Sequence, residues 1–161
     1  MHRIARFGVT GLALALLLGA GAALAATQVP SSISFAPSAG APDKVQSGCQ
    51  LQTLVPQAIQ QAGGADVQLV DKPSKGARYL ELTISEIHAP GGGFFSGPKW
   101  MAVSGKLYDH GKVIGSFRAK RVSGAAKSTC GTLQRVANAI GQDIAGWLKA
   151  PSMNAEIGDA R

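Results

Sequence analysis

WMAVSGKLYDHGKVIGSFRAKRV, residues 100–122, is the stretch that decides the fold. Apolar and polar side chains alternate on both sides of Asp109-His110-Gly111, which is a turn sequence. Alternation with a period of two is typical of strands with one buried face, so this stretch predicts a β-hairpin. The apolar side of the hairpin is expected to carry Met101, Val103, Leu107, Val113, Phe117 and Ala119.

Two further strand patterns precede the hairpin. One is the short apolar run at residues 67–70, and the other is the alternating run at residues 78–88. Ile87 breaks the second alternation, which indicates a possible β-bulge after Ile84. Strands with one apolar side favour an antiparallel sheet with one buried face, so we expect four antiparallel strands.

A helical pattern flanks the strands on each side. In the first, apolar residues recur at three- and four-residue spacing from Leu51 to Ala62, and Gly63-Gly64 ends the pattern. The second follows a possible cap at Ser128 or Thr129 and stops before Pro151. Its apolar stripe consists of Leu133, Val136, Ala137, Ile140, Ile144, Trp147 and Leu148. We therefore predict an α+β fold, a two-layer sandwich ordered helix, four antiparallel strands, helix, with both helices on one face of the sheet.

The start of the first helix is open to two interpretations. Ser47 and Gln50 have the spacing of a capping box. Pro56 instead favours a start near Thr53, because proline is tolerated in the first turn of a helix.

The N-terminal residues 1–26 are predicted to be a signal peptide. Arg3 and Arg6 form a positive segment, residues 7–26 carry no charge, and Ala23-Leu24-Ala25 has the small-x-small pattern of a cleavage site. We expect cleavage near Ala25 or Ala26. The alternative is an uncleaved membrane anchor, since about 20 uncharged residues can just span a bilayer.

The exported part divides into three segments. Residues 27–48, with three prolines, are predicted to be a flexible leader in which residues 32–35 could add an edge strand. Residues 49–151 form the single α+β domain, and residues 152–161 form a polar tail.

Export bears on the cysteines and on the charge. Cys49 and Cys130 are the two cysteines of the chain, and in the oxidising periplasm a lone pair usually forms a disulfide. The alternatives are two buried thiols or half of a metal site.

Without Arg3 and Arg6, 14 basic residues remain against 9 acidic ones. Outside the cytoplasm the expected partners are an envelope protein or an anionic envelope component, with no nucleic acid and at most peripheral membrane contact.

Several short segments suggest a family. These are Leu80-Glu81-Leu82, residues 88–93, residues 96–99, residues 111–117 and residues 144–148. Together they resemble small exported proteins and lipoproteins of proteobacteria, a family mainly of unknown function. The order of elements is also distantly similar to that of envelope-assembly lipoproteins, which is a likeness of fold alone.

Two surfaces are candidates for partner binding. Phe94 and Phe95 lie on a glycine-rich loop, where they would be exposed anchors or would fold back to close the end of the sandwich. The sheet face away from the helices is expected to combine aromatic and basic side chains, which suit a docked partner or pair across the strands. Its members are Tyr79, Trp100, Lys106, Tyr108, Ile114, Arg118 and Lys120.

A small-ligand or metal site is the alternative. Glu86 and His88 are two residues apart on one strand and therefore point the same way, and His110 could join them. The sequence contains no nucleophile elbow of the kind that serine hydrolases use. Glu81 and Glu86 are a carboxylate pair of the kind that glycoside hydrolysis needs, and they would share a face only if the bulge exists. The sequence thus favours a non-enzymatic periplasmic binding or accessory protein of the cell envelope without a cofactor, and the alternative is a periplasmic carrier that uses Glu86 and His88.

Overall fold

The computed structural model describes residues 26–91, 97–124 and 128–160. Seven strands and three helices are assigned in this part of the chain. They are β1 (Thr27–Pro30), β2 (Ser34–Phe35), α1 (Asp43–Gly48), α2 (Leu51–Gly63), β3 (Val67–Val70), β4 (Arg78–His88), β5 (Lys99–Asp109), β6 (Lys112–Ser123), α3 (Thr129–Leu148) and β7 (Ala155–Gly158).

The strands form one mixed sheet in the order β3-β1-β4-β5-β6-β7, and β2 also pairs with β4. The three long strands β4, β5 and β6 are antiparallel, as the hairpin pattern predicts. The fold class is α+β, but the predicted layout of four antiparallel strands and two helices is wrong. β3 pairs in parallel with β1, and β1 separates it from β4.

The N-terminal segment that was predicted to be a flexible leader is part of the fold. Val29 of β1 is fully buried, and β2 pairs with β4. The backbone N–H of Ile33 donates to the carbonyl of Gln52 at 3.0 Å. That carbonyl lacks its usual helical partner because residue 56, four positions on, is a proline without an N–H.

The C-terminal segment, predicted to be a polar tail, contributes the parallel edge strand β7. Its end is fixed by Asp159, whose carboxylate accepts the Val122 N–H at 2.9 Å and an Arg121 guanidinium N–H at 3.3 Å. Arg121 also forms a bidentate pair with Asp143 of α3, at 2.7 and 2.8 Å.

The two long helices pack against each other and against the sheet, α3 on β5 and β6 and α2 on β1 and β3. All seven residues of the predicted α3 stripe are buried. The Ser128 side chain caps α3 by accepting the Gly131 N–H at 3.0 Å. α2 begins at Leu51 after Gln50 in the left-handed region (φ 55°), so neither predicted start is correct.

Two β-bulges set which side chains share a face. The bulge between Ile84 and Glu86 lies where Ile87 indicated it. A second one shifts the β5–β6 register near Tyr108, which then pairs with Val113. Val113 was predicted to be on the buried side, but this shift places it opposite Tyr108, and it is 41% exposed.

Candidate functional site

The outer face, defined as the side of β4, β5 and β6 turned away from α2 and α3, gathers the predicted sheet residues except Ile114. Ile114 is the unpaired residue of the β6 bulge, and Val113 pairs with Tyr108 in its place. The strand register brings the others into cross-strand rows of residues that share a side. From one end to the other, the rows are Tyr79–Tyr108–Val113, Glu81–Lys106–Ser116, Thr83–Ser104–Arg118, Glu86–Ala102–Lys120 and His88–Trp100–Val122.

Arg118 lies near the centre of this face and bridges two strands. Its guanidinium donates to Glu86 of β4 at 2.7 Å and lies 3.8 Å from Glu156 of β7. The Arg118 side chain is 37% exposed, so the pairs are accessible to solvent and each contributes little to stability. Their effect is to hold the guanidinium in one place on the face.

The aromatic side chains of the outer face contact one another across the strands. Tyr79 and Tyr108 stack with ring centroids 4.7 Å apart, and His88 stacks on Trp100 at 3.5 Å. The Lys120 ammonium lies 5.0 Å from the centroid of the Trp100 ring, in a cation–π contact. The sequence left two interpretations of these residues open, a docked partner or pairing across the strands, and the observed contacts are cross-strand pairs.

The charges of the outer face balance. Lys106, Arg118 and Lys120 supply three cations, and they are met by three carboxylates, Glu81 opposite Lys106, and Glu86 and Glu156 beside Arg118. The sequence pattern predicted a basic face because the carboxylates were not counted: Glu81 and Glu86 of β4 join the face through the strand register and the bulge, and Glu156 comes from the supposed tail. The assembled surface offers alternating donors and acceptors rather than a positive field.

A groove of about 400 Å³ opens on this face. It is lined by Glu81, Thr83, Ser104, Gly105, Lys106, Ser116, Phe117, Arg118, Asn154, Ala155 and Glu156. The hydroxyl, amide and charged groups along it can exchange hydrogen bonds with a polar partner. Asn154 and Glu156 were missed by sequence reasoning, and nothing in the sequence signals their place, which depends on the pairing of β7 with β6.

The environment of Tyr108 perturbs its ionisation. Burial, and then the negative charge of Glu81, raise the pKa of the Tyr108 phenol above its ordinary value of 10.0. The phenol forms a hydrogen bond with Glu81, a residue that lines the groove, and its raised pKa reflects that neighbour as well as burial.

The alternative site is not assembled by the described residues. Glu86 and His88 do share the outer face, but Glu86 pairs with Arg118 and His88 stacks on Trp100. His110 lies in the β5–β6 turn, where its ring nitrogen contacts the Asp109 carboxylate at 2.7 Å. Across residues 26–91, 97–124 and 128–160, no three His, Cys, Asp or Glu side chains come together in a way that could hold a metal ion.

Two other predictions have different outcomes. Cys49 and Cys130, the pair predicted from the sequence, are joined as a disulfide, with Cα atoms 4.9 Å apart at the starts of α2 and α3. Phe94 and Phe95 lie outside the described residues, as does nearly all of the predicted signal peptide. No helix in the described part of the chain is both long enough and apolar enough to cross a membrane.

Comparisons with known proteins give fold likeness at low identity. No family model matches the chain, and no curated protein does. Solved structures of similar fold include the PelC dodecamer from Paraburkholderia phytofirmans, with 14% identity over 83% of this chain and 93% of that chain and a TM-score of 0.49. Protein XCC0632 from Xanthomonas campestris shares 10% identity over 76% of this chain and 82% of that chain, with a TM-score of 0.49. A minor lipoprotein from Acinetobacter baumannii shares 16% identity over 77% and 93% of the two chains, with a TM-score of 0.39. All three TM-scores are below 0.5, and these likenesses carry no conclusion about function.

Proposed function

We propose that this chain is a non-enzymatic binding or accessory protein of the bacterial cell envelope, exported to the periplasm by a cleaved leader at residues 1–26. It docks a partner on the outer face. The observation that carries this proposal is the groove of about 400 Å³, where charged, hydroxyl and amide side chains from β4, β5, β6 and β7 converge.

The charge balance of the outer face favours a protein partner over a polyanion. Three carboxylates stand among the three cations, so a densely anionic polymer would meet repulsion at Glu81, Glu86 and Glu156. A folded protein surface offers donors and acceptors of both signs, which this pattern can match. The loop with Phe94 and Phe95 remains a predicted alternative docking site.

The disulfide supports the periplasmic assignment. Disulfides persist in oxidising compartments and are rare in the cytosol. Cys49 and Cys130 bridge elements 81 residues apart in sequence, and their two Cα atoms lie within ordinary disulfide range. The carrier alternative has no comparable support, because Glu86 and His88 are both engaged with neighbouring side chains.

Site-specific photo-crosslinking in cells tests the proposal. The full gene is expressed with a photoreactive amino acid at Lys106, on the outer face, or at Gln60, an exposed position on the helical side. Irradiation should give a discrete crosslinked envelope protein from Lys106 and none from Gln60. The variant Arg118→Ala should weaken the Lys106 product, because the groove loses the cation at its centre.

The proposal fails if Lys106 gives no product at an expression level equal to that of Gln60. It also fails if the two positions give the same set of products, which would indicate random collision rather than docking on one face.

A further inference from the structure

The outward surface of the two long helices carries almost no charge. The 13 residues of α2 include no Asp, Glu, Lys or Arg, and the 20 residues of α3 include two charged side chains, Arg135 and Asp143. Asp143 binds Arg121 of β6, which leaves Arg135 as the one exposed charged side chain of α2 and α3. Helices on a solvated surface usually carry charged residues on their outward side, so this composition is unusual and calls for a physical reason.

Carboxamide side chains take the place of charges beside a groove between the two helices. The groove has a volume of about 280 Å³ and is lined by Ala58, Gln61, Ala62, Asn138 and Gln142. Gln61, Asn138 and Gln142 are exposed, and the structure gives none of them a side-chain hydrogen bond to another described residue. Each carboxamide has two N–H donors and one carbonyl acceptor, so the rim of the groove can bind a further polar surface.

The chemistry of these groups selects a second copy of the chain as the occupant. A carboxamide is both donor and acceptor, so it can pair with an identical group, whereas two ammonium groups or two carboxylates repel each other. A two-fold axis sets one surface patch against the same patch of the other subunit, and such a patch must be self-complementary.

The net charge of the chain favours the same surface. The chain has 16 Lys and Arg residues against 9 Asp and Glu residues, so two copies repel each other least where charges are absent. The cores of protein interfaces are likewise depleted in charged residues. Among the helices and strands described, α2 and α3 provide such a surface over their whole length.

We propose that the groove between α2 and α3 is the centre of a two-fold dimer interface. Gln61, Asn138 and Gln142 bond to the same three side chains of the second copy across the axis. The outer face is turned away from α2 and α3, so it stays uncovered, and the dimer presents two outer faces that point away from each other. Two linked docking surfaces raise the apparent affinity for a partner that is itself repeated. The dimer goes beyond the proposed function and does not depend on it.

Size-exclusion chromatography with light scattering tests for the dimer. The protein is purified from the periplasm of cells expressing the full gene and is run over a range of concentrations, where we expect a dimer that gives way to monomer on dilution. Gln61→Glu with Gln142→Glu puts one carboxylate on each helix beside the axis. We expect the dissociation constant to rise by at least about tenfold, because like charges opposed in an interface are strongly unfavourable.

A charge swap separates loss of the interface from loss of the fold. Gln61→Lys with Gln142→Lys should also dissociate the dimer, and an equimolar mixture of the acidic and the basic variants should form a heterodimer. A mixture that stayed monomeric would contradict an interface in which this surface meets itself.

Gln60→Glu is the matched control. Gln60 is also exposed on α2, but it does not line the groove, because successive helical residues project about 100° apart. This variant should remain dimeric. For the same reason, Gln60 stays outside the interface in the crosslinking experiment.

Three further results would overturn the inference. One is a wild-type protein that is monomeric at every concentration, and another is equal dissociation by Gln60→Glu and by the acidic groove variant. The third is a dimer that the acidic groove variant leaves intact, since the two copies would then meet at another surface. None of these outcomes bears on the crosslinking of an envelope protein from Lys106, so the two proposals can fail separately.

Discussion

At the residue scale, Gly141 sets how closely the two long helices approach. A Cβ atom at this position of α3 would overlap the Cβ of Ala58 on α2 and would lie 2.8 Å from the Ala58 carbonyl carbon. The second contact is with backbone, which cannot rotate away as a side-chain end can. The absence of a side chain at residue 141 is therefore a packing requirement of the helical layer.

We predict that Gly141→Ala destabilises the protein by about 1–3 kcal/mol, because overpacking outweighs the gain in helix propensity. Gly146→Ala, on the same helix, is the control. A Cβ there meets nothing within 4 Å, so that variant should gain roughly 0.5–1 kcal/mol. Urea unfolding of both variants measures the two signs, and a stabilising Gly141→Ala would show that α2 and α3 are not in close contact.

Individual positions on the long strands could be predicted from the sequence, whereas their charge environment could not. Trp100, Lys106, Tyr108, Arg118 and Lys120 follow from a period of two, which holds wherever the strand is regular. The sequence pattern put Val113 on the wrong side of the sheet. One extra residue in β6 reverses the alternation, so the residues between the bulge and the β5–β6 turn face the other side. A bulge of that kind leaves no mark in a hydrophobic pattern unless an apolar residue, as Ile87 does in β4, stands out of phase.

At the element scale, a missing hydrogen bond in α2 connects the N-terminal segment to the domain. Pro56 leaves the Gln52 carbonyl without its partner in the helix, and the Ile33 N–H occupies it at 3.0 Å. Ile33 is 6% exposed, so this bond lies at the edge of the core. Pro56, which complicated the prediction of the helix start, thus frees the carbonyl that binds the segment between β1 and β2.

We predict that Pro56→Ala accelerates amide exchange at Ile33 by up to about tenfold. The N–H that this substitution introduces into the backbone would compete for the Gln52 carbonyl, and a backbone hydrogen bond contributes about 0.5–1.5 kcal/mol. Pro42→Ala, which removes the proline that precedes α1 and leaves the Gln52 carbonyl with its Ile33 partner, should not change exchange at Ile33. Hydrogen exchange followed by NMR gives the rates, and equal rates in both variants would contradict this role of Pro56.

The strands that the sequence did not reveal share a physical cause. β1 and β7 have four residues each, too few for a periodic pattern to stand out from a loop, and β2, with two residues, was indicated only as a possible edge strand at residues 32–35. Each pairs in parallel, so its partner is remote in the chain and no turn announces the pairing. The helix α3 could be predicted almost completely, because 20 residues with an unbroken apolar stripe permit one interpretation.

At the scale of the whole molecule, the helical layer is fastened to itself at one end and to the sheet at the other. The disulfide joins the starts of α2 and α3. At the opposite end, Arg78 of β4 donates to the Leu148 carbonyl at the last residue of α3, at 3.3 Å. The described domain is small, and the burial available to a chain of this size leaves a modest margin of stability, so a covalent clasp has a large effect.

We predict that replacing both cysteines, Cys49→Ala with Cys130→Ala, lowers the free energy of unfolding by about 4 kcal/mol, because the unfolded chain regains the entropy of a long open loop. The closed loop spans 81 residues, and the bridged ends remain packed in the native fold either way. Reducing the wild-type protein before urea unfolding should lower its stability by a similar amount, which separates loss of the bond from any packing defect due to alanine. If protein isolated from the periplasm carried two titratable thiols, or if reduction left its urea midpoint unchanged, the bond would not be part of the native state, and the assignment to an oxidising compartment would lose its physical basis.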